Sequence, residues 1–407
     1  MSDKKIIIVV FGYLSTKRGS STDNFHYNIA KYFFDKGVLE KVYCIDYDNG
    51  VEIPDLYIES LNKYFLVKFI YKLSQYINLI FRNFPQRLIK EYIFDIFVSK
   101  RIKKGSAYLL LNLKAVVPHV IKKSKELNLY VFTLATIAHP NFNCNVVKKI
   151  QQKYNLPDRC IYTNKTRVKR VSDTFKDSDK VVLLVRSKFV FNTYVSNGIH
   201  EQDLIMLENS IGIDTKIFVP NKKNKKPREV IFMTLGHLNL IKGIPLLLQA
   251  WRELNETDNI DGRLVIAGRM DSDVKRIVKE YHKNTKKIEF TGFVESTLDT
   301  YNNADVFIAS SVSDSGPGTV MEAMACGLPV IISSHCGFAE YIDEGKDGFI
   351  YDPFDIARLK MLIKWFIENK SRIPQMGKNA REKAVSLKPV DFLKYLFNAC
   401  SSYSANI

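Results

Sequence analysis

The sequence of 407 residues is short of acidic groups: 43 Asp and Glu face 60 Lys and Arg, for a formal net charge of +17. It lacks any long apolar run, and nothing in it approaches the roughly 18 uninterrupted apolar residues of a membrane-spanning helix. Its six cysteines (Cys44, Cys144, Cys160, Cys326, Cys336, Cys400) are scattered, with no C-x-x-C pair and no metal-like spacing. That argues against a disulfide framework and a zinc site, and reads as reduced thiols in a cytoplasmic protein. The apolar stretch Ile6–Val10 is short and leads into polar residues without a small-residue cleavage site, so it makes a poor secretory signal. Zinc-finger spacing, a basic region feeding heptads and RNA-recognition signatures are all missing, which argues against nucleic-acid binding despite the charge. The seven histidines form no triad-like cluster.

What is present is globular. Hydrophobic residues make up 46% and charged residues 25%, and the length exceeds one ordinary core, so two domains are expected. The charge is uneven: residues 1–220 carry 34 Lys/Arg against 20 Asp/Glu, which is most of the excess. The density peaks over 60–104, where only Glu91 and Asp95 oppose ten basic residues. Aromatic and aliphatic residues are interleaved there, as in Tyr64-Phe65-Leu66-Val67 and Phe69-Ile70-Tyr71. Such a stretch either lies on an anionic bilayer surface or packs its apolar face on its own domain while the lysine heads reach outward.

Strand-like and helix-like segments alternate along the chain, the pattern of parallel α/β sheets. In the first half, strands are expected at 5–11, 41–46, near 128–135, near 180–185 and at 204–207, with a helix over 22–35. The polar, proline-bracketed segment Pro220–Pro227 reads as a linker. The second half suggests strands at 229–235, 263–267, 287–290, 305–309 and 329–333. Its first helix places Ile244, Leu247, Leu248 and Trp251 on one face. An amphipathic segment at 391–402 lies beyond the last expected strand. The fold class is therefore α/β, two Rossmann-like doubly wound domains facing across a cleft. Residues 1–220 and 228–390 form the domains, and 391–407 packs back on the first.

The segment Ser313–Val330 carries the most chemistry. Gly316-Pro317-Gly318 forms a tight loop after a strand, and a helix of about eight residues runs to Cys326, stopped by Gly327 and Pro329. The helix start offers N–H groups and a positive dipole end suited to a diphosphate. Thr319 and Glu322 share a face near that end, and Asp314 lies in the loop before it. The two carboxylates either point into the cleft or serve the helix, Asp314 as its cap and Glu322 as a dipole partner.

This region resembles the donor-binding domain of retaining GT-B glycosyltransferases of family 4. Their E-x7-E pattern followed by A-M-A-x-G-x-P-V appears as Asp314-x7-Glu322 with Ala323-Met324-Ala325-Cys326-Gly327-Leu328-Pro329-Val330. Their G-R-L-x-x-x-K-G motif appears as Gly236-His237-Leu238-Asn239-Leu240-Ile241-Lys242-Gly243, and their G-F-V turn as Gly292-Phe293-Val294. Thinner likenesses in the first half are Thr136–Pro140, Ser187–Val190 and Asn209–Asp214. The resemblance implies that Glu322 binds the nucleotide ribose, Asp314 the donor sugar and Lys242 the diphosphate. Gly236, His237, Gly318, Thr319 and Val320 are implied to surround the donor, with Phe293 and Val294 near its base. It also implies an active-site histidine at His139 and a phosphate-approaching loop glycine at Gly19. Asp314 is one methylene shorter than the usual glutamate. His237 replaces the usual arginine and loses its fixed fork.

The activity this resemblance implies is a retaining transfer of sugar from a UDP- or GDP-sugar to a glycan or lipid-linked acceptor in surface glycan synthesis. No metal or other cofactor is expected, and the enzyme is placed in the cytoplasm or peripherally on the inner face of a membrane. The competing readings are a GT-B nucleotide-sugar epimerase, a metal-dependent transferase using Asp46-Tyr47-Asp48, and a membrane-associated scaffold that has lost transfer.

Overall fold

The computed structural model describes residues 4–16, 21–80, 86–113, 116–158, 160–175, 180–207, 213–221, 229–258, 260–281, 285–387 and 392–402. The first domain opens with β1 (Lys5–Val10), a short β2 (Tyr13–Leu14) and α1 (Ser21–Asp35). β3 (Leu39–Cys44), β4 (Asp46–Tyr47) and β5 (Ile58–Ser60) follow, then α2 (Phe65–Ile80) and α3 (Gln86–Ser99). β6 (Ala107–Leu113), α4 (Pro118–Glu126), β7 (Tyr130–Ala135), α5 (Pro140–Lys153) and α6 (Lys165–Phe175) come next. β8 (Val181–Val185), α7 (Lys188–Val195) and β9 (Leu204–Met206) complete the domain. Seven strands form one sheet in the order β5-β3-β1-β6-β7-β8-β9, with every pairing parallel. Its central strands are buried on both faces, so they read as near-continuous apolar runs.

The second domain begins with β10 (Val230–Leu235), α8 (Ile244–Asp258), β11 (Gly262–Ala267) and α9 (Ser272–Tyr281). It continues with β12 (Ile288–Gly292), α10 (Thr297–Asn302), β13 (Val306–Ala309) and α11 (Gly318–Ala325). β14 (Val330–Ser333), β15 (Gly348–Tyr351), α12 (Ile356–Glu368) and α13 (Ile373–Ser386) end it. Its six strands are also parallel, in the order β12-β11-β10-β13-β14-β15. Ile244, Leu247, Leu248 and Trp251 are all buried on α8, with Trp251 edge-on to Phe232 at 5.7 Å. The doubly wound α/β architecture read from the sequence is the one found. Both sheets reverse their winding beside the first strand, at β1/β6 and β10/β13, where open α/β sheets hold ligands.

In the two main sheets, three strands escape the sequence reading: β5, β6 and β15. The Ala107–Leu113 run has no alternation, and a short apolar stretch fits a buried helix turn as well as a strand. The segment 213–221, which runs into the expected linker at Pro220–Pro227, packs on residues of the second domain. Phe218 already packs on Tyr301 at 6.1 Å, and Arg381 donates to the carbonyls of Thr215, at 2.8 Å, and Phe218. Residues 222–228 lie outside the described residues. The last helix, α14 (Phe392–Ser402), packs on the first domain. Leu396 and Cys400 join that core, and the Tyr108 hydroxyl donates to the Cys400 carbonyl at 3.0 Å.

The domains touch closely. Val147 and Ile150 of α5 and Tyr154 just after it share a core with Ile244 and Leu247 of α8, and the Tyr154 hydroxyl donates to the Pro245 carbonyl at 2.8 Å. Nearer the cleft, Ser315 Oγ donates to the Thr136 carbonyl at 2.7 Å, and the Lys188 N–H to Glu340 Oε2 at 3.2 Å. A Cβ on Gly337 would lie 2.1 Å from the Ser315 carbonyl oxygen and 2.5 Å from Ser187 Oγ. No larger side chain fits between the domains there.

Candidate active site

The site is built outward from the β10/β13 switch point. After β10 the chain makes one 3-10 turn, Leu240–Lys242, capped by Asn239, whose side chain accepts the Lys242 N–H at 3.2 Å. Gly243 comes next with φ 67°, and a Cβ there would meet the Ser310 carbonyl oxygen at 1.9 Å. Only glycine meets both demands. The turn therefore sits against the end of β13, and Ser310 Oγ donates to the Lys242 carbonyl at 2.9 Å. From this perch the Lys242 ammonium pairs with the Asp314 carboxylate. Burial pushes the lysine pKa down, but the charge and hydrogen bond of Asp314 outweigh it and hold the ammonium charged.

Asp314 is fixed by its backbone. Its N–H donates to the His335 carbonyl and its carbonyl accepts from Gly337, both at 2.9 Å, while Oδ1 accepts from the Gly316 N–H at 3.2 Å. It does not cap α11: the N-cap is Pro317, with no side-chain bond to the helix. That removes the capping role for Asp314, and no capping side chain occupies the first N–H groups of α11. One turn along, Glu322 accepts a hydrogen bond from the buried Tyr301 hydroxyl at 2.7 Å. Burial raises the Glu322 pKa, and the Tyr301 bond offsets part of that rise. Thr234, Gly236, Lys242, Ser310, Pro317 and Thr319 line a small crevice beside Lys242 and the start of α11.

Other sequence-derived positions fall in different places. Val320 is fully buried in the core, and its N–H is bonded to the Pro317 carbonyl, so its side chain is structural. His237 is exposed and pairs with Asp271 Oδ1 at 2.6 Å, so its ring is already engaged across the loop. Phe293 is exposed with the Arg269 guanidinium 5.1 Å above its ring, and Val294 is half-buried beside it; neither lines the crevice. Gly19 lies outside the described residues. His139 caps α5, its Nδ1 accepting the Asn141 N–H at 3.3 Å, and it packs edge-on to Tyr194 at 5.2 Å. Burial lowers its pKa to about 4, so it is neutral at physiological pH. With Nδ1 accepting, the proton sits on Nε2.

Between the domains, next to this crevice, a cavity of about 500 Å³ opens. Arg87, Asn143, Tyr162 and Arg167 face it from the first domain, and His237, Asp271 and Asp273 from the second. The sequence reading missed Arg186, at the end of β8. Burial lowers its pKa to about 10 against the opposing pull of the nearby Asp314 carboxylate. Its place beside the Ser187–Val190 segment was the available signal. Asp46 and Asp48 have structural partners: Asp46 accepts from Asn62 at 2.6 Å, and Asp48 from Ser15 Oγ at 2.6 Å and the Gly50 N–H at 2.9 Å. Among the described residues no group of three or more His, Cys, Asp or Glu is placed to hold a metal ion.

Residues 215–383 match the family described as Glycosyl transferases group 1. Spore coat protein SA of Bacillus subtilis is 29% identical over 199 residues, 43% of this chain and 52% of that protein. Mannosylfructose-phosphate synthase of Agrobacterium fabrum is 29% identical over 168 residues, 39% of this chain and 37% of that one. The matched part thus spans about half or less of these relatives' length. Among solved structures, WaaG, a glycosyltransferase involved in lipopolysaccharide biosynthesis, superposes with a TM-score of 0.66 at 14% identity, over 96% of this chain and 98% of that one. Anabaena HepE in complex with UDP and glucose gives 0.62 at 15% identity, over 98% and 100%. The chain therefore has the GT-B fold, and residues 215–383 of it are similar to the Glycosyl transferases group 1 family.

Proposed function

We propose that the protein is a retaining glycosyltransferase of the family 4 type. It moves a sugar from a UDP- or GDP-sugar to a glycan or lipid-linked acceptor in surface glycan synthesis. One observation carries this reading: Lys242 and the uncapped start of α11 line one crevice at the β10/β13 switch point, with Asp314 paired to Lys242 and Glu322 one turn along α11. A ribose hydroxyl pair fits Glu322, and a diphosphate fits the N–H groups of Gly318 and Thr319 together with Lys242. Asp314 holds the ammonium until the diphosphate replaces it, and the released carboxylate then takes the sugar hydroxyls. His139, neutral, offers its Nε2–H as a donor toward the sugar.

Chemistry in this reading is positioning plus charge stabilisation on the leaving diphosphate, which accepts the acceptor's proton. The acceptor occupies the 500 Å³ cavity beside the crevice. Because Lys242 and α11 meet the phosphate charge, transfer is expected to survive EDTA. The excess positive charge of the first domain favours an acceptor presented at an anionic membrane face.

The test is a thermal-shift screen of UDP, GDP and their sugar conjugates, with Glu322→Ala alongside. A ligand at 100 times its dissociation constant adds about 2.7 kcal/mol of stability. A shift with one nucleotide, lost in Glu322→Ala, supports the donor site and names the base. Folded protein that responds to no nucleotide overturns it. Transfer with the product anomer matching the donor separates this reading from an epimerase and from an inactive scaffold.

A further inference from the structure

We infer that one face of α2 is a docking surface for an anionic lipid bilayer. α2 carries apolar residues on two opposite faces. One packs inward: Val67 and Tyr71 sit against the first-domain core, Ser74 is buried, and the Lys90 ammonium lies 4.5 Å over the Tyr71 ring. The other is turned to solvent. Phe65 is 79% exposed, Leu66 72% and Tyr76 64%, and Phe69, Ile70 and Leu73 are exposed between them. At 100° per residue these six positions fill one continuous arc of about 140°.

A contiguous apolar arc of this size facing water marks an interaction surface. Charge selects the occupant. α2 contains no Asp or Glu, and the same angular count puts Lys68 and Lys72 side by side along one edge of the arc. Lys63 and Lys68 also line a shallow depression with Asp46, Asp48 and Asp55. The apolar arc therefore supplies most of the affinity and the lysines supply the preference for anionic lipid. Aromatic and aliphatic side chains buried at the headgroup boundary, with lysines reaching phosphates, are the chemistry of an interfacial helix. Among the described residues no helix is long and apolar enough to cross a membrane, so contact here is peripheral. α2 packs on α3, whose Arg87 lines the interdomain cavity. On the reading of that cavity as the acceptor site, a lipid-carried acceptor would be presented to it from the docked face.

Flotation with vesicles of phosphatidylcholine alone, or mixed with phosphatidylglycerol, tests the inference on the full chain. The wild type is expected to float with the mixed vesicles and far less with the neutral ones. Phe65→Ser/Phe69→Ser/Tyr76→Ser should abolish flotation with both. Lys68→Gln/Lys72→Gln should lower partitioning onto mixed vesicles about thirtyfold, at about 1 kcal/mol per lysine and 1.4 kcal/mol per decade. An unchanged melting midpoint shows that the variants are folded. If the triple variant unfolds, Leu66→Asp alone replaces it. Absence of wild-type flotation, or flotation that survives folded apolar variants, overturns the proposal. So does a dimer that the triple variant dissociates while no form binds vesicles, which would assign the face to a second copy. The nucleotide shift is read on the same proteins without vesicles, so failure of the donor site and failure of docking are told apart.

Discussion

Two sets of charged groups, one buried and one half-buried, sit in the two domains, and they are bonded to different degrees. In the first domain, Glu91 on α3 accepts from Arg87 at 3.0 Å and from Arg167 at 3.0 and 3.1 Å. One turn along, Asp95 accepts from Arg170 at 2.9 Å, His119 Nδ1 at 2.6 Å and the Val120 N–H at 3.0 Å, the last two at the start of α4. Both carboxylates are almost wholly removed from solvent, and each is held by at least two partner groups. In the second domain, Glu322 is bonded to Tyr301, and Asp314 to Lys242 and one backbone N–H. Lys242 keeps about a quarter of its side chain in solvent. A saturated cluster ties helices together. A sparsely bonded one at a crevice has lone pairs and a charge left for something that enters.

The comparison is broken most directly by Glu91→Ala. Removing one partner of a buried pair leaves the other charge uncompensated, so a loss of about 3–5 kcal/mol is expected in denaturant unfolding. A loss below about 1 kcal/mol would show that the first cluster is not structural. Lys242→Met should behave in the opposite way. Its apo stability changes by about 1 kcal/mol or less, because the pair is partly solvated. Its kcat for transfer should fall about 10²–10³-fold, as when one charge-stabilising donor is removed. A Lys242→Met enzyme with wild-type kcat would leave the diphosphate role without support.

The contrast also marks how far the sequence could be read. In the second domain, Lys242 is 72 residues from Asp314 and is legible only through the resemblance of Gly236–Gly243 to a family motif. Asp314, Glu322 and the eight-residue α11, however, lie in one short segment, so their closeness follows from local geometry. The saturated cluster does not: Glu91 and Arg167 are 76 residues apart, and nothing in either segment announces the other. Tyr301 is hidden for the same reason, because its role depends on α10 lying against α11. β6 was missed because parallel strands buried on both faces lose the alternation that identifies a strand. The basic, aromatic stretch at 60–104 was read as one region with two uses, and the structure divides it. α3 spends its acids inside the domain, and α2 exposes an apolar arc.

Smaller effects sharpen the comparison around Glu322. Tyr301→Phe removes that carboxylate's hydrogen-bond donor while keeping the ring in the core. A cost of about 1 kcal/mol is expected, with weaker nucleotide binding, by unfolding and thermal shift.

The smallest expected effect is in the pH dependence of the protein without ligand. Burial raises the Glu322 pKa above its ordinary 4.5, so the folded state holds this proton more tightly than the unfolded chain does. The stability it contributes is fully present below the ordinary value and is lost as pH rises through the raised one. The melting midpoint of the wild type should therefore fall, relative to that of Glu322→Gln, as pH climbs from about 4.5 toward neutrality. A ribose donating hydroxyls to the ionised carboxylate reverses the preference, so nucleotide binding should weaken as pH drops into the same window. Parallel pH profiles for wild type and Glu322→Gln would mean that Glu322 is as fully compensated as Glu91, and the distinction between a structural and a waiting carboxylate would fail.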